Sequence, residues 1–409
     1  MNTMAVKELK SNYLIPLFLV PVAANFGNSL APGQAIFFGQ GWGILASFVL
    51  AGVAICMWLF TSQHSDEWTN PQKAFLILMG IAWGYQTVST YLDNQAFNYS
   101  AFLLPLTAIL LYLKKPTNEM IVQAFKWFLN GLVLIALMSL TLGFIDLYPS
   151  GFEAADSGSS RVPVLGDLFG INTRWAGPFA SVNLAAPVGG LLVVAGLTMQ
   201  GITRPISIGG GILILLLSQG RTSIFATLVG ISIVVMYSKR FQTLNHRTVF
   251  RIFIALTLAL FLMIYIFFAD RTLAARTYIW ENFILLFWTQ PITGIGTSGL
   301  EQYIALGGES VNSILYSHGH NVMIDIGTRY GIFLLLLTLG LLTIPLLITW
   351  RSRDVTNGGP LALMAFVIFA GLAETIHDWQ YLSIFTVAIF YAATFPQSHM
   401  NNSHDYSNK

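Results

Sequence analysis

Charge is scarce in this sequence. Only 9% of its 409 residues are Asp, Glu, Lys or Arg, against 55% hydrophobic residues. Soluble domains carry about 25% charged residues. So few charges cannot solvate the surface of a water-borne globule, so lipid must cover most of it. Net charge is nearly absent as well, and a balance of +2 is too small to point to nucleic acid. Cysteine is reduced to Cys56, which excludes an intrachain disulfide framework and a thiolate zinc cluster. Cys56 lies in an apolar run and is expected to be a small core residue. Internal repeats, low-complexity tracts and a soluble catalytic domain are also missing.

What is present is a series of apolar runs. A helix needs about 20 apolar residues to cross a bilayer. Twelve candidate spans lie near 13–30, 42–61, 74–91, 101–113, 127–147, 184–200, 205–219, 222–238, 251–269, 331–349, 360–376 and 381–396. The first holds Pro16 and Pro21, and the fourth and seventh are short. Lys7 and Lys10 resemble the start of a signal peptide, but eleven further spans favour an uncleaved anchor. These runs predict an all-α polytopic membrane protein: one transmembrane domain over residues 1–409, about 12 transmembrane helices and both termini cytoplasmic. The polar stretch 397–409 is then a cytoplasmic tail. Two long outer loops are expected at 148–183 and 270–330, each too short for a separate domain of typical size.

The few charges are not spread evenly. With a cytoplasmic N-terminus, fourteen of the twenty basic residues fall on the inner side, including all eight lysines. This follows the positive-inside bias. The outer six are all arginines: Arg161, Arg174, Arg221, Arg271, Arg276 and Arg329. A guanidinium grips phosphate through a planar fork of donors, whereas an ammonium is a point charge. The outer face therefore reads as an anion site. The competing reading pairs these arginines with outer acids such as Asp167, Asp270 or Glu281.

Three outer elements carry chemistry-bearing residues. Ser218-Gln219-Gly220-Arg221-Thr222-Ser223 joins two spans by a tight turn and fixes Arg221 at the membrane surface. In the second long loop, Ile279, Phe283 and Leu286 follow helical spacing after Arg276, which predicts a helix along the membrane surface with interfacial aromatics. Pro291 ends it, and Gly294-Ile-Gly296-Thr-Ser-Gly299 gives a tight loop. That loop has the outline of a dinucleotide fingerprint, but no strand precedes it. Then comes His318-Gly-His320-Asn321. Two imidazoles are too few for zinc, although Glu374, His377 and Asp378 on the last outer turn could add ligands. Histidine is otherwise the natural general base at neutral pH.

These elements resemble the O-antigen ligase and polymerase superfamily of membrane glycosyltransferases. Ser-Gln-Gly-Arg221-Thr is similar to its Ser-Gln-x-Arg motif. Arg276, Trp280, Pro291 and Gly294-Ile-Gly296 resemble the arginine–tryptophan–proline–glycine run of its large periplasmic loop. His320-Asn321 followed by Gly331-Ile332 resembles its His-Asn…Gly-Ile signature, and Arg174, Gly177 and Asn183 resemble an earlier element. The family has an acid between His-Asn and Gly-Ile. Asp325 can fill that place, and Arg329 is an addition to the pattern.

The resemblance implies a glycosyltransferase of the bacterial inner membrane with a periplasmic active site. Its donor would be an undecaprenyl-diphosphate-linked glycan. Its acceptor would be lipid A–core for a ligase or a growing glycan for a polymerase. His320, Arg221 and Arg276 are the expected catalytic residues, with His320 taking the proton of the attacking hydroxyl and the arginines holding the diphosphate. Arg174, His318, Asn321 and Asp325 are expected to bind or position substrate. No outer pair of carboxylates suggests a metal site, so neither a metal nor another cofactor is expected. His-x-His-Asn leans the reading toward the ligase. A transporter or flippase shares the twelve-span layout, but the mid-span regions lack charge and the two halves show no similarity. A structural scaffold would leave the arginine bias unexplained.

Overall fold

In a computed structural model the described residues are 12–28, 42–60, 68–93, 102–144, 152–154, 173–179, 181–237, 272–296, 298–299, 319–354, 356–372, 374 and 382–394. Among them are twelve helices: α1 Leu14–Asn28, α2 Trp42–Phe60, α3 Asn70–Leu92, α4 Leu103–Leu113, α5 Asn118–Phe144, α6 Val182–Thr198, α7 Thr203–Ser218, α8 Arg221–Tyr237, α9 Thr272–Thr289, α10 Val322–Arg351, α11 Gly359–Gly371 and α12 Ile384–Thr394. One short antiparallel pair, β1 Phe152–Ala154 and β2 Thr173–Trp175, lies inside the expected loop 148–183 and sets Glu153 opposite Arg174. Eleven of the twelve apolar segments read from sequence coincide with helices. The segment 251–269 and the tail 397–409 lie outside the described residues. Asn118–Leu142 and Val322–Arg351 are long and apolar enough to cross a membrane, and shorter apolar helices accompany them.

The outside of the bundle is apolar. Leu45, Val49 and Leu59 on α2, Ile77, Ile81 and Val88 on α3, and Leu336, Leu339 and Leu347 on α10 are all exposed. Exposed leucine and isoleucine on this scale suit hydrocarbon rather than water. Cys56 belongs to this outer surface and is not the core residue its sequence context suggests. The run around it is apolar on every side, so hydropathy cannot separate the lipid-facing face from the packed one. Helical position does separate them: Ala51 and Ala54 face inward while Val53, Cys56 and Leu59 face out.

The centre is built on α6, which is buried along almost its whole length. Its glycines let neighbours approach backbone to backbone: a Cβ on Gly189 would sit 2.9 Å from the Gly211 carbonyl oxygen of α7, and one on Gly230 of α8 would sit 2.6 Å from Val194 of α6. Small residues at helix crossings are how membrane helices gain dispersion contact without a hydrophobic drive between them. Ser181 caps α6 by accepting the Leu184 N–H at 3.3 Å.

Packing also sorts the helix ends. At one end Gly358, ahead of α11, lies against Tyr237 at the close of α8, and Gly359 lies against Thr198 at the close of α6. Tyr13 donates to the Lys114 carbonyl at 2.8 Å, and Lys115 lies over the Trp68 ring. This end collects Lys73, Lys114, Lys115, Arg204, Arg351 and Arg353. At the opposite end lie the α7–α8 turn, the start of α10 and the close of α3 and α11, with Arg174, Arg221 and Arg329. Among the described residues the lysine-rich end and the arginine end are thus opposite ends of one bundle.

Candidate active site

The first half of the site is the α7–α8 turn. Ser218 closes α7 with its hydroxyl donating to the Ile214 carbonyl at 2.7 Å. Gln219 follows in the left-handed region, φ 55°, a conformation that costs a non-glycine residue about 1–2 kcal/mol. A Cβ on Gly220 would lie 2.1 Å from the Ala186 methyl of α6, so only glycine lets the turn press against that helix. Arg221 then opens α8, whose first bond runs from Ile224 N–H to the Gly220 carbonyl at 2.9 Å. From β2, Arg174 donates Nε–H to the Ser218 carbonyl at 2.8 Å. The fold therefore brings Arg174 and Arg221 to the same short turn, although 47 positions separate them in the chain. Gln219 as a residue is 8% exposed, and both its side-chain amide atoms are buried with no hydrogen-bond partner among the described residues.

The second half is the entry to α10. Asn321 is its cap: Oδ1 accepts from Met323 N–H at 2.9 Å and Ile324 N–H at 3.2 Å, while Nδ2 donates to the Leu372 carbonyl at the end of α11 at 2.8 Å. Asn321 thus satisfies helix-start donors and locks α10 to α11. Asp325 accepts the Gly319 N–H at 2.8 Å and pairs with Arg329 at 3.2 Å. Its carboxylate braces the loop carrying the histidine and suits the positive end of the helix dipole. Arg329, whose role the sequence left open, pairs with an acid on its own helix.

His320 sits between these supports, φ 48°, with a side chain 11% exposed. Its Nδ1 lies 3.1 Å from Glu374 Oε2. With the proton on Nδ1, the carboxylate fixes the ring and leaves the Nε2 lone pair as base, the arrangement used by carboxylate-oriented catalytic imidazoles. The sequence offers Glu374 only as a metal ligand, and its place beside His320 is visible in the structure alone. The signal for Glu374 was its place near the outer end of the span read at 360–376, on the same side as His320. His318, His377, Asp378, Arg161 and Arg271 lie outside the described residues.

The two halves meet through α8 and α11. These helices run antiparallel, since Tyr237 lies by Gly358 at one end and Phe225 meets the Phe369 ring edge-on, centroids 5.9 Å apart, toward the other. Arg221 is one turn before Phe225 and Glu374 is just past Phe369, so arginine and carboxylate share one end of the pair. Arg276 lies on α9, whose Ile279 and Phe283 are buried with Leu286, Ile295 and Ile324 packed on them. The apolar spacing read from sequence is therefore the packed face of α9. The Arg276 side chain itself is outside the described residues.

The Gly294–Gly296 loop has a different task from phosphate binding. Gly331 breaks α10 with φ 78° and ψ −176°. The break removes the helical bond from Ile332 N–H to the Thr328 carbonyl. The loop supplies both replacements: Ile332 N–H donates to Pro291 O at 2.8 Å and Ile295 N–H donates to Thr328 O at 2.9 Å. Asp93, at the close of α3, secures the same loop by accepting the Ser298 N–H at 2.7 Å and the Ser298 hydroxyl. The loop expected over 270–330 thus holds α9, and helix α10 begins at Val322, nine residues before the span read from hydropathy. The polar Asp325, Thr328 and Arg329 hid that first segment, which Asn321 caps and Thr328 ties to the Phe283 carbonyl of α9 at 2.9 Å.

Helices with an apolar exterior, and arginines and a carboxylate-bound imidazole gathered at one end, define a helical protein of membrane type with a polar site at that end. Residues 206–339 are similar to the family model for O-antigen ligase, the superfamily that the motifs of this region resemble. The match takes in Arg221, Arg276, His320, Asn321, Asp325 and Gly331 and leaves Arg174 and Glu374 outside. No curated protein matches the chain.

Proposed function

We propose that the protein is a glycosyltransferase of the bacterial inner membrane, with about twelve spans and its site on the periplasmic side. It moves a glycan from undecaprenyl diphosphate to a hydroxyl of lipid A–core. The observation that carries this reading is the His320–Glu374 pair at the same end of the bundle as the Arg174–Arg221 turn. His320 Nε2 takes the proton of the acceptor hydroxyl as its oxygen bonds to the anomeric carbon of the donor. The bond from that carbon to the diphosphate oxygen breaks, and its electron pair leaves with the diphosphate. Charge grows on the leaving group in the transition state, so guanidinium groups near it lower the barrier more than they tighten substrate binding. Arg221 and Arg276 hold the diphosphate, with Arg174 bracing the turn. Charge stabilisation by arginine needs no divalent cation, so chelation should leave transfer unchanged. Recovery of lost activity by magnesium would refute that part.

The test is the lipopolysaccharide pattern of a deletion strain, with purified protein in vesicles supplied with lipid-linked glycan and lipid A–core. Unmodified core beside free lipid-linked polymer, and transfer in vesicles, is expected. Core carrying one repeat unit would make the protein the repeat-unit polymerase, and full-length polymer on core would refute both readings.

A further inference from the structure

We infer that Gln219 is a substrate-reading residue whose side-chain amide binds the sugar attached to the donor diphosphate. This rests on the glycosyl-transfer reading above. Every other residue of the turn is accounted for by the fold. The Ser218 hydroxyl bonds the Ile214 carbonyl and its own carbonyl accepts from Arg174. Gly220 fits against Ala186, and Arg221 opens α8. Gln219 alone is held against its preferences: a left-handed backbone at φ 55° and an amide more than nine-tenths buried with Nε2 and Oε1 both lacking partners among the described residues. Buried polar groups are almost always bonded, and strain and unsatisfied polarity concentrate where a ligand completes the structure.

The chemistry of the amide selects the ligand. Nε2 only donates and Oε1 only accepts. An ionised diphosphate offers acceptors alone, so it can engage Nε2 but leaves Oε1 unsatisfied. Sugar hydroxyls both donate and accept, and a neighbouring pair can engage both amide atoms. Gln219 is two positions from Arg221 and one from the carbonyl that holds Arg174. A group bonded to it therefore lies beside the diphosphate, which is the position of the first sugar of the donor.

The experiment compares the parent protein with Gln219→Met in vesicles, measuring transfer kinetics and, in detergent, the thermal midpoint. Met keeps the length of the side chain and removes both orphaned atoms. The expected result is a KM for the lipid-linked glycan raised about tenfold to a hundredfold with kcat little changed, the pattern of a lost ground-state contact, together with a thermal midpoint equal to or above the parent's. Undecaprenyl diphosphate without sugar, used as a competitive inhibitor, should keep the same Ki on both proteins. A Ki that rises with KM would overturn the sugar assignment in favour of phosphate. A parental KM in the variant, or a fall in thermal midpoint that accompanies a fall in kcat, would overturn a substrate role altogether. The parent's own transfer is the control: its absence would refute the glycosyl-transfer reading itself, whereas its presence with an unaltered variant would refute only the role of Gln219.

Discussion

At the residue scale the site turns on how a histidine is aimed. The His318-Gly-His320-Asn321 cluster was legible because imidazoles are rare in an apolar chain, but its working partner was not. Glu374 is 54 positions downstream, and nothing local in the sequence links it to His320. The packing of α10 on α11, fastened by the Asn321 bond to the end of α11, brings the two together. Glu374→Gln keeps the volume and removes the charge that orients the ring. Replacing a carboxylate that orients a catalytic histidine by its amide can cost up to about ten-thousandfold in turnover, so kcat should fall by at least about tenfold while donor KM and the thermal midpoint stay near parental values. Equal kcat in the variant would detach Glu374 from the chemistry. Arg221→Lys keeps the charge and loses the fork. Turnover should fall about tenfold to a thousandfold, by comparison with the loss of one transition-state donor. A fully active lysine variant would remove Arg221 from the diphosphate site.

At the element scale the informative feature is the broken helix α10. Hydropathy found its apolar part at residues 331–349 and stopped at Gly331, which is where the helix changes direction. It could not show that a helix continues beyond the break, because the bonds that permit it come from elsewhere. Pro291 and Ile295 replace the missing ladder partners, and Tyr85 of α3 donates to the Tyr330 carbonyl at 3.0 Å. The Gly294–Gly296 motif was visible in the sequence, but its purpose was not, since its partner is backbone exposed by a kink. Gly331 must be glycine on two counts. Its φ of 78° with extended ψ is a region reserved for glycine, and a Cβ there would sit 2.0 Å from the Ile292 carbonyl oxygen. Gly331→Ala should therefore lower the thermal midpoint of the purified protein sharply or prevent its accumulation. The backbone term alone is about 1–3 kcal/mol. A variant with parental stability would mean that the loop does not seat in the break.

At the scale of the whole molecule, the distribution of charge and the distribution of helix ends carry the same message. The sequence predicted which charges share a side by counting spans, and span counting fails wholesale if one span is wrong. The packing of α8 on α11, α6 on α7 and α3 on α10 sorts the same residues without counting, and it separates Lys73, Lys114 and Lys115 from Arg174, Arg221 and Arg329. The apolar part of α10 after the break, residues 332–351, is about 30 Å long at 1.5 Å per residue, which matches the hydrocarbon thickness of a bilayer. Gly331 then stands at one membrane surface, with the buried His320 beyond it on the water side of that surface. This geometry makes sidedness testable by chemistry at two exposed positions. In a Cys56→Ser background, Gln290→Cys lies by the loop that seats against Gly331, and Asp354→Cys lies past the opposite end of α10. An impermeant maleimide added to spheroplasts should label position 290 and reach position 354 only after the membrane is opened. The reverse pattern would put the arginine end in the cytoplasm and end the periplasmic reading. Labelling of both sites in intact spheroplasts would mean that residues 332–351 do not cross the membrane.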